Sequence, residues 1–277
     1  MRPWDSWMTG LTTSEVSPEA RAVIRRMKEY VDDVLTGRIP ACEKVIKACR
    51  RHESNLQSSR RKKYPWRFDK ELAARPVLFM ERYLVPTKGQ YDSMALMGWQ
   101  VFVLCSVYGW VDKCTGLRRF REALILVPRS NGKSTMISGV STYGMTKDGE
   151  RGADIYLLAN TKEQAGIVYE ECRNQILASP ALSCRIRALR DRLHYDATAS
   201  SIQHRSSDSK RLDGLAPHYA VFDELHGYRN FALINVIKRG TNKRRNPIIW
   251  YISTMGSVLD GPLVHYYQLF SDALEEG

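Results

Sequence analysis

Apolar residues at Val23, Met27, Tyr30, Val31 and Val34 recur at the three- and four-residue spacing of one helix face. Ser17 followed by Pro18 supplies an N-cap and a first helical residue, and Gly37 stops the run, which predicts a helix between them. A second helix is predicted from Ala41 to about Arg51, and a third from about Pro76 to Leu84 on Val77, Phe79, Met80 and Tyr83. The polar, basic stretch from His52 to Arg67 reads as an exposed connection. Residues 1–90 are therefore expected to form an N-terminal helical region packed on a second domain, 91–277.

In that second part the pattern changes to alternating strands and helices. Ala123–Val127 is a short apolar strand, followed by a polar loop and a helix from about Lys133. Ile155–Ala159 is another strand. Thr161 with Gln164 three residues on makes a capping box, opening a helix with the apolar face Ala165, Val168, Cys172 and Ile176. Residues 192–205 alternate with a polar middle, as a hairpin does, and Tyr219–Phe222 and Ile248–Ser253 are further apolar strands. This order predicts an α/β fold with a mostly parallel sheet and helices on both faces.

Charge sharpens the picture. The 277 residues carry a net charge of +12, with 19 Lys and Arg against 11 Asp and Glu before residue 91 and 23 against 19 after it. A basic surplus favours polyanions through counterion release, although a basic, non-binding surface gives the same composition. The densest run, Arg60–Lys63 with Tyr64 and Trp66 beside it, reads either as a nucleic-acid-tracking patch or as a solvated face. The six cysteines show no CxxC pair, and Cys42, Cys49 and His52 read as ordinary reduced residues. Neither a secretory leader nor an apolar run of the roughly 20 residues a membrane span needs is evident, which leads to an expected cytosolic location without a membrane partner.

Candidate chemistry lies in two loops. Val127-Pro128-Arg129-Ser130-Asn131-Gly132-Lys133-Ser134-Thr135 falls where a strand ends and a helix begins, the setting of a phosphate-binding loop. Backbone N–H groups of Ser130–Thr135 and the helix N-terminus would converge on phosphate oxygens there. Lys133 would neutralise the β- and γ-phosphates of ATP, the Ser134 hydroxyl would ligate Mg²⁺, and Gly132 would let the backbone approach. The first glycine of the usual motif is replaced by Val127, and a Gly-Lys-Ser triplet alone is a weak signal. The second loop follows Tyr219-Ala220-Val221-Phe222 with the adjacent acids Asp223 and Glu224. Asp223 would hold Mg²⁺ through its water shell, and Glu224 would orient and deprotonate the attacking water.

With these residues in place, the chain resembles phage terminase large subunits over most of its length. The resemblance rests on Pro128-Arg129-Ser130-Asn131-Gly132-Lys133-Ser134, which departs from the common phosphate loop as that family does. Gly98-Trp99-Gln100 through Tyr108-Gly109-Trp110, Arg118-Arg119-Phe120, Leu158 to Ala165, Leu212-Asp213-Gly214-Leu215 and Tyr251-Ile252-Ser253-Thr254 add to it. The likeness implies a RecA-like P-loop ATPase of the additional-strand, catalytic-glutamate class. In that class the strand ending at Ser253 lies between the phosphate-loop strand and the acidic strand. It further implies that Gln100 reads the adenine edge and that Ser253 and Thr254 couple hydrolysis to movement. Arg129 either assists the transition state from within the chain or pairs with a carboxylate until DNA binds. Trp99 and Trp110 read as core aromatics before ligand contacts, Ser253 and Thr254 also read as strand-end satisfiers, and Gln164 is fully explained as a cap.

The implied function is ATP-driven translocation of double-stranded DNA into a procapsid. Its partners would be a portal protein, a small terminase subunit and further copies in a ring, in the host cytoplasm. Family members continue into a nuclease domain that residues up to Gly277 are too few to supply, so no DNA cleavage is expected of this polypeptide. Two rivals remain. Asp223-Glu224-Leu225-His226 superficially fits a DExH-type helicase, although no second motor lobe with its arginine motif follows. A non-hydrolysing, nucleotide-sensing DNA-binding module is the other, and the intact Glu224 argues against it.

Overall fold

The computed structural model describes residues 16–87, 89, 91–206, 214–256 and 260–275. They fall into two compact units, each built from separated stretches of chain. One combines residues 16–78, 95–121 and the C-terminal stretch from Val264, and the other combines 79–94 with 122–263. The units thus do not follow the expected linear cut at residue 90. Because a contiguous reading assigns every residue to its neighbours in sequence, it cannot foresee a core that chain segments leave and re-enter.

The first unit is mainly helical. Helix α1 (Pro18–Leu35) opens with the Ser17 hydroxyl accepting the Ala20 N–H at 3.2 Å, and buries Ala20, Val23, Met27, Val31 and Val34. Helix α2 (Glu43–Ser59) runs well past Arg51, which corrects the expectation of an exposed connection from His52. His52 and Asn55 are buried there because each has a partner. The Trp110 indole N–H donates to His52 Nδ1 at 3.2 Å, and the Tyr64 hydroxyl donates to Asn55 Oδ1. Paired polar side chains bury at little cost, so polarity alone misplaces them. Strand β1 (Trp66–Phe68) follows, then α3 (Lys70–Tyr83), which begins six residues before Pro76 because Asp69 Oδ1 accepts the Leu72 N–H at 3.0 Å and starts the helix there. Helix α4 (Gly98–Gly109), β2 (Trp110–Asp112) and the C-terminal stretch from Val264 complete the unit, β1 and β2 pairing antiparallel. Trp110 is buried in this core, as a core aromatic should be. The basic run Arg60–Lys63 is exposed, and Lys113 Nζ fixes its start by donating to the Ser59 and Arg61 carbonyls at 2.9 Å.

The second unit carries a seven-stranded sheet. Its strands are β3 (Glu122–Leu126), β4 (Asp154–Ala159), β5 (Ile186–Ala188), β6 (Arg192–Tyr195), β7 (Ser200–Ser206), β8 (Tyr219–Asp223) and β9 (Ile248–Ser253). The order is β3-β9-β8-β4-β7-β6-β5. The first five are mutually parallel, and β6 and β5 add an antiparallel edge, with β6 and β7 forming the expected hairpin. Helices α5 (Lys133–Thr146), α6 (Lys162–Ala178), α7 (Pro180–Ser183) and α8 (Ala232–Thr241) connect the strands, and α9 (Pro262–Glu275) follows β9. The α6 face expected at Ala165, Val168, Cys172 and Ile176 is buried at 1% exposure or less. Among the described residues no helix is long and apolar enough to cross a membrane.

Two glycines let α5 approach its neighbours. A Cβ on Gly139 would lie 2.5 Å from Met80 Cε, and one on Gly144 would lie 2.5 Å from Tyr219 Cε2. Tyr219 is fully buried at the start of β8, so its ring has nowhere to move. The α5–β8 packing at Gly144 matters because α5 leads out of the candidate phosphate loop and β8 carries the candidate acids. Alanine in a helix is worth about 1 kcal/mol over glycine, whereas overpacking a rigid contact costs about 1–3 kcal/mol. Gly144→Ala is therefore expected to lower the urea-unfolding midpoint, and a raised midpoint would contradict the packing described.

Candidate active site

Parallel pairing places the C-terminal ends of β3, β9 and β8 side by side. Leu126 faces Ser253 across one pairing and Asp223 faces Ile252 across the next. Two strand spacings separate the loop after β3 from the acids after β8, roughly 10 Å between backbones. A lysine side chain spans such a gap.

The loop is shaped by its own polar groups. The Val127 N–H donates to the Ser253 carbonyl at 3.2 Å, and Asn131 Nδ2 donates to the carbonyls of Pro128 and Arg129 at 3.3 and 3.1 Å. Ser130 has φ 64° and Gly132 φ 71°, two left-handed residues that turn the chain into α5. For Gly132 this conformation is easy, while for Ser130 it is strained, as often occurs at functional loops. Arg129, Ser130 and Asn131 are exposed, and Ser134 and Thr135 half-buried. Among the described residues no carboxylate lies within ion-pair distance of Arg129.

Lys133 is only 8% exposed, and its Nζ lies 3.2 Å from Glu224 Oε1. Glu224 also adopts a left-handed backbone, φ 49°, which swings its side chain out of the β8 direction. Its second oxygen, Oε2, is buried and lies 3.1 Å from His226 Nδ1. That same ring nitrogen is 3.0 Å from Ser253 Oγ, which also accepts the His226 backbone N–H at 3.1 Å and donates to the Thr254 carbonyl at 2.7 Å. Ser253 is fully buried. Sequence reasoning used His226 only as part of a superficial motif; its meeting with Ser253 depends on β9 lying beside β8.

Asp223 sits in a setting that opposes its charge. Burial, and then the neighbouring Glu224, push its pKa up to about 6, with Lys133 opposing. Tyr228 is buried nearby with its ring edge-on to Phe222, and its hydroxyl has no partner. Burial and the Asp223 charge raise the phenol pKa. An acid held against its preference, beside an unpartnered hydroxyl, is a setting a hydrated divalent cation would relieve; Ser134 is half-buried at the start of α5. Magnesium needs few protein ligands because it keeps waters and takes substrate oxygens.

The structure therefore brings together Lys133, Asp223, Glu224, Ser253 and the 127–135 loop within one unit. Gln100 belongs to the helical unit, where it is buried and its Oε1 accepts the Met97 N–H at 2.8 Å at the start of α4. Of the Leu212-Asp213-Gly214-Leu215 landmark, residues 212 and 213 lie outside the described residues.

Known proteins resemble the chain in sequence and in fold. The family model described as terminase large subunit, ATPase domain, matches residues 98–271. The terminase large subunits of Lactococcus phages p2 and SK1 are each 24% identical over 207 residues, which is 72% of this chain and 38% of theirs. The chain thus spans about two fifths of the length of these curated relatives. The crystal structure of the HK97 bacteriophage large terminase superposes with a TM-score of 0.64 at 22% identity, covering 73% of this chain and 41% of that one.

The Asp223 environment carries a stability consequence. Between the ordinary carboxylate pKa of 3.8 and about 6, the folded protein holds a proton that the unfolded chain has released. Stability from this group therefore falls as pH rises through that window and stays low above it. With magnesium chelated, Asp223→Asn is expected to raise the melting temperature at pH 7.5 by an amount corresponding to about 1–2 kcal/mol, a gain that vanishes near pH 4. A lower melting temperature at pH 7.5 would contradict the stated environment.

Proposed function

The chain belongs to the ATPase-domain family of phage terminase large subunits, and from that premise we propose that it is a DNA-packaging motor that hydrolyses Mg-ATP. The observation that carries the reading is the Lys133–Glu224 pair, which joins the candidate phosphate loop to the acidic strand across β9.

In this reading the N–H groups of Ser130 to Thr135 and the α5 N-terminus hold the triphosphate, and Lys133 places its charge on the β- and γ-phosphates. Ser134 and Asp223 would hold Mg²⁺, which when bound neutralises charge on the phosphate oxygens. Glu224 orients a water toward the γ-phosphorus and takes its proton. A bound triphosphate competes for Lys133 and so frees Glu224 Oε1 for that water. Arg129, exposed in the loop, assists with charge that develops on the phosphoryl group. Gln100 is assigned to the adenine edge as the family likeness implies, with its carboxamide held by the start of α4. Ser253 and Thr254, at the end of β9, sense the change and pass it to a DNA-gripping surface.

We further propose double-stranded DNA as the polymer moved, with the +12 charge favouring it. The partners proposed are a portal protein, a small terminase subunit and further copies in a ring, acting in the host cytoplasm at the procapsid portal.

Phosphate release by the purified chain should require magnesium, and Lys133→Ala and Glu224→Gln should each reduce kcat by about 100-fold or more. Normal turnover in Glu224→Gln would overturn the assignment of the base. Duplex DNA should raise the hydrolysis rate, and raising salt should weaken that stimulation. A rate indifferent to DNA at low salt would count against a translocase.

A further inference from the structure

We propose that His226 is a positioning residue that fixes the aim of Glu224 and ties it to the end of β9. The inference rests on Glu224 being the base. Ser253 Oγ donates its only proton to the Thr254 carbonyl at 2.7 Å, so toward His226 it can only accept. The ring nitrogen 3.0 Å from it, Nδ1, must therefore carry a proton. The same nitrogen lies 3.1 Å from Glu224 Oε2, within ion-pair distance of a buried oxygen that has no hydrogen-bond partner. One imidazole nitrogen thus hydrogen-bonds the strand-end hydroxyl and stands at contact distance from the base, where a small turn of either side chain brings its N–H onto Oε2.

The contacts close into a ring around the candidate phosphate loop. The Val127 N–H binds the Ser253 carbonyl, the Ser253 hydroxyl meets His226, His226 meets Glu224, and Glu224 meets Lys133. Backbone packing reinforces the link, since a Cβ on Gly256 would lie 2.4 Å from His226 Cβ. The chain just past β9 therefore rests directly on the histidine. Once a triphosphate draws Lys133 away, His226 is the group left at contact distance from the Glu224 carboxylate and able to hold it. Movement of the β9 end then alters the aim of the base through His226, and a change at Glu224 is felt at Ser253.

The test is steady-state ATP hydrolysis by the full chain with His226→Ala, His226→Asn, His226→Gln and Glu224→Gln assayed together. Asparagine can place an amide N–H where Nδ1 lies; glutamine reaches the Nε2 position instead. The expected result is a roughly 10- to 100-fold loss of kcat in His226→Ala with KM for ATP within about twofold of the parent. His226→Asn should recover to within about threefold of the parent, and His226→Gln should not. If His226→Ala does not fold, the Asn-to-Gln ratio of kcat decides: about tenfold or more supports the proposal, and near one overturns it. Parental kcat in His226→Ala together with an inactive Glu224→Gln overturns the positioning role alone. Parental turnover in Glu224→Gln overturns the base assignment and this inference with it.

Discussion

An ammonium group that is 8% exposed needs a counter-charge, and the one it has stands on another strand. The Lys133–Glu224 pair is the constraint on which the rest of the site depends. It forces the turn after β3 and the turn after β8 to converge, although the strands themselves are separated by β9. The pair is worth little as a source of stability, because desolvating both charges offsets most of their attraction. Its significance is that each partner is poised for exchange. In the proposed reading, a triphosphate outbids a single carboxylate for the lysine, and the carboxylate then becomes available to water.

Everything upstream serves that convergence. Parallel pairing with β9 aligns Leu126 with Ser253 and Asp223 with Ile252, so three strand ends open on one edge. Left-handed residues at Ser130, Gly132 and Glu224 then bend the chain toward a common point. At Gly144 the absence of a side chain lets α5 lie against Tyr219, which binds the helix behind the loop to the strand behind the acids. The same site accepts unfavourable terms, including an acid pushed up to about 6 and an unpartnered buried phenol at Tyr228. Such local costs are typical where a ligand supplies the missing partners.

Much of this was legible in the sequence because it is periodic or local. The α1 stripe, the buried face of α6, the strands at 154–159, 219–223 and 248–253, and the hairpin all follow from spacing and turn chemistry. The placement of β9 between β3 and β8 was available only through family likeness, since strand order leaves no periodic trace. Polarity misled at His52 and Asn55, where Trp110 and Tyr64 satisfy buried groups from distant positions. Proline misled at position 76, where Asp69 had already started the helix. The discontinuous units and the meeting of His226 with Ser253 depend on contacts between segments far apart in the chain, which no local pattern encodes.

A crystal structure with magnesium and a non-hydrolysable ATP analogue tests the central claim most directly. The account predicts that Lys133 leaves Glu224 for the phosphates, that the 127–135 loop wraps the triphosphate, and that Asp223 and Ser134 take the metal side of the site. A nucleotide bound elsewhere, with the Lys133–Glu224 pair intact, would contradict it.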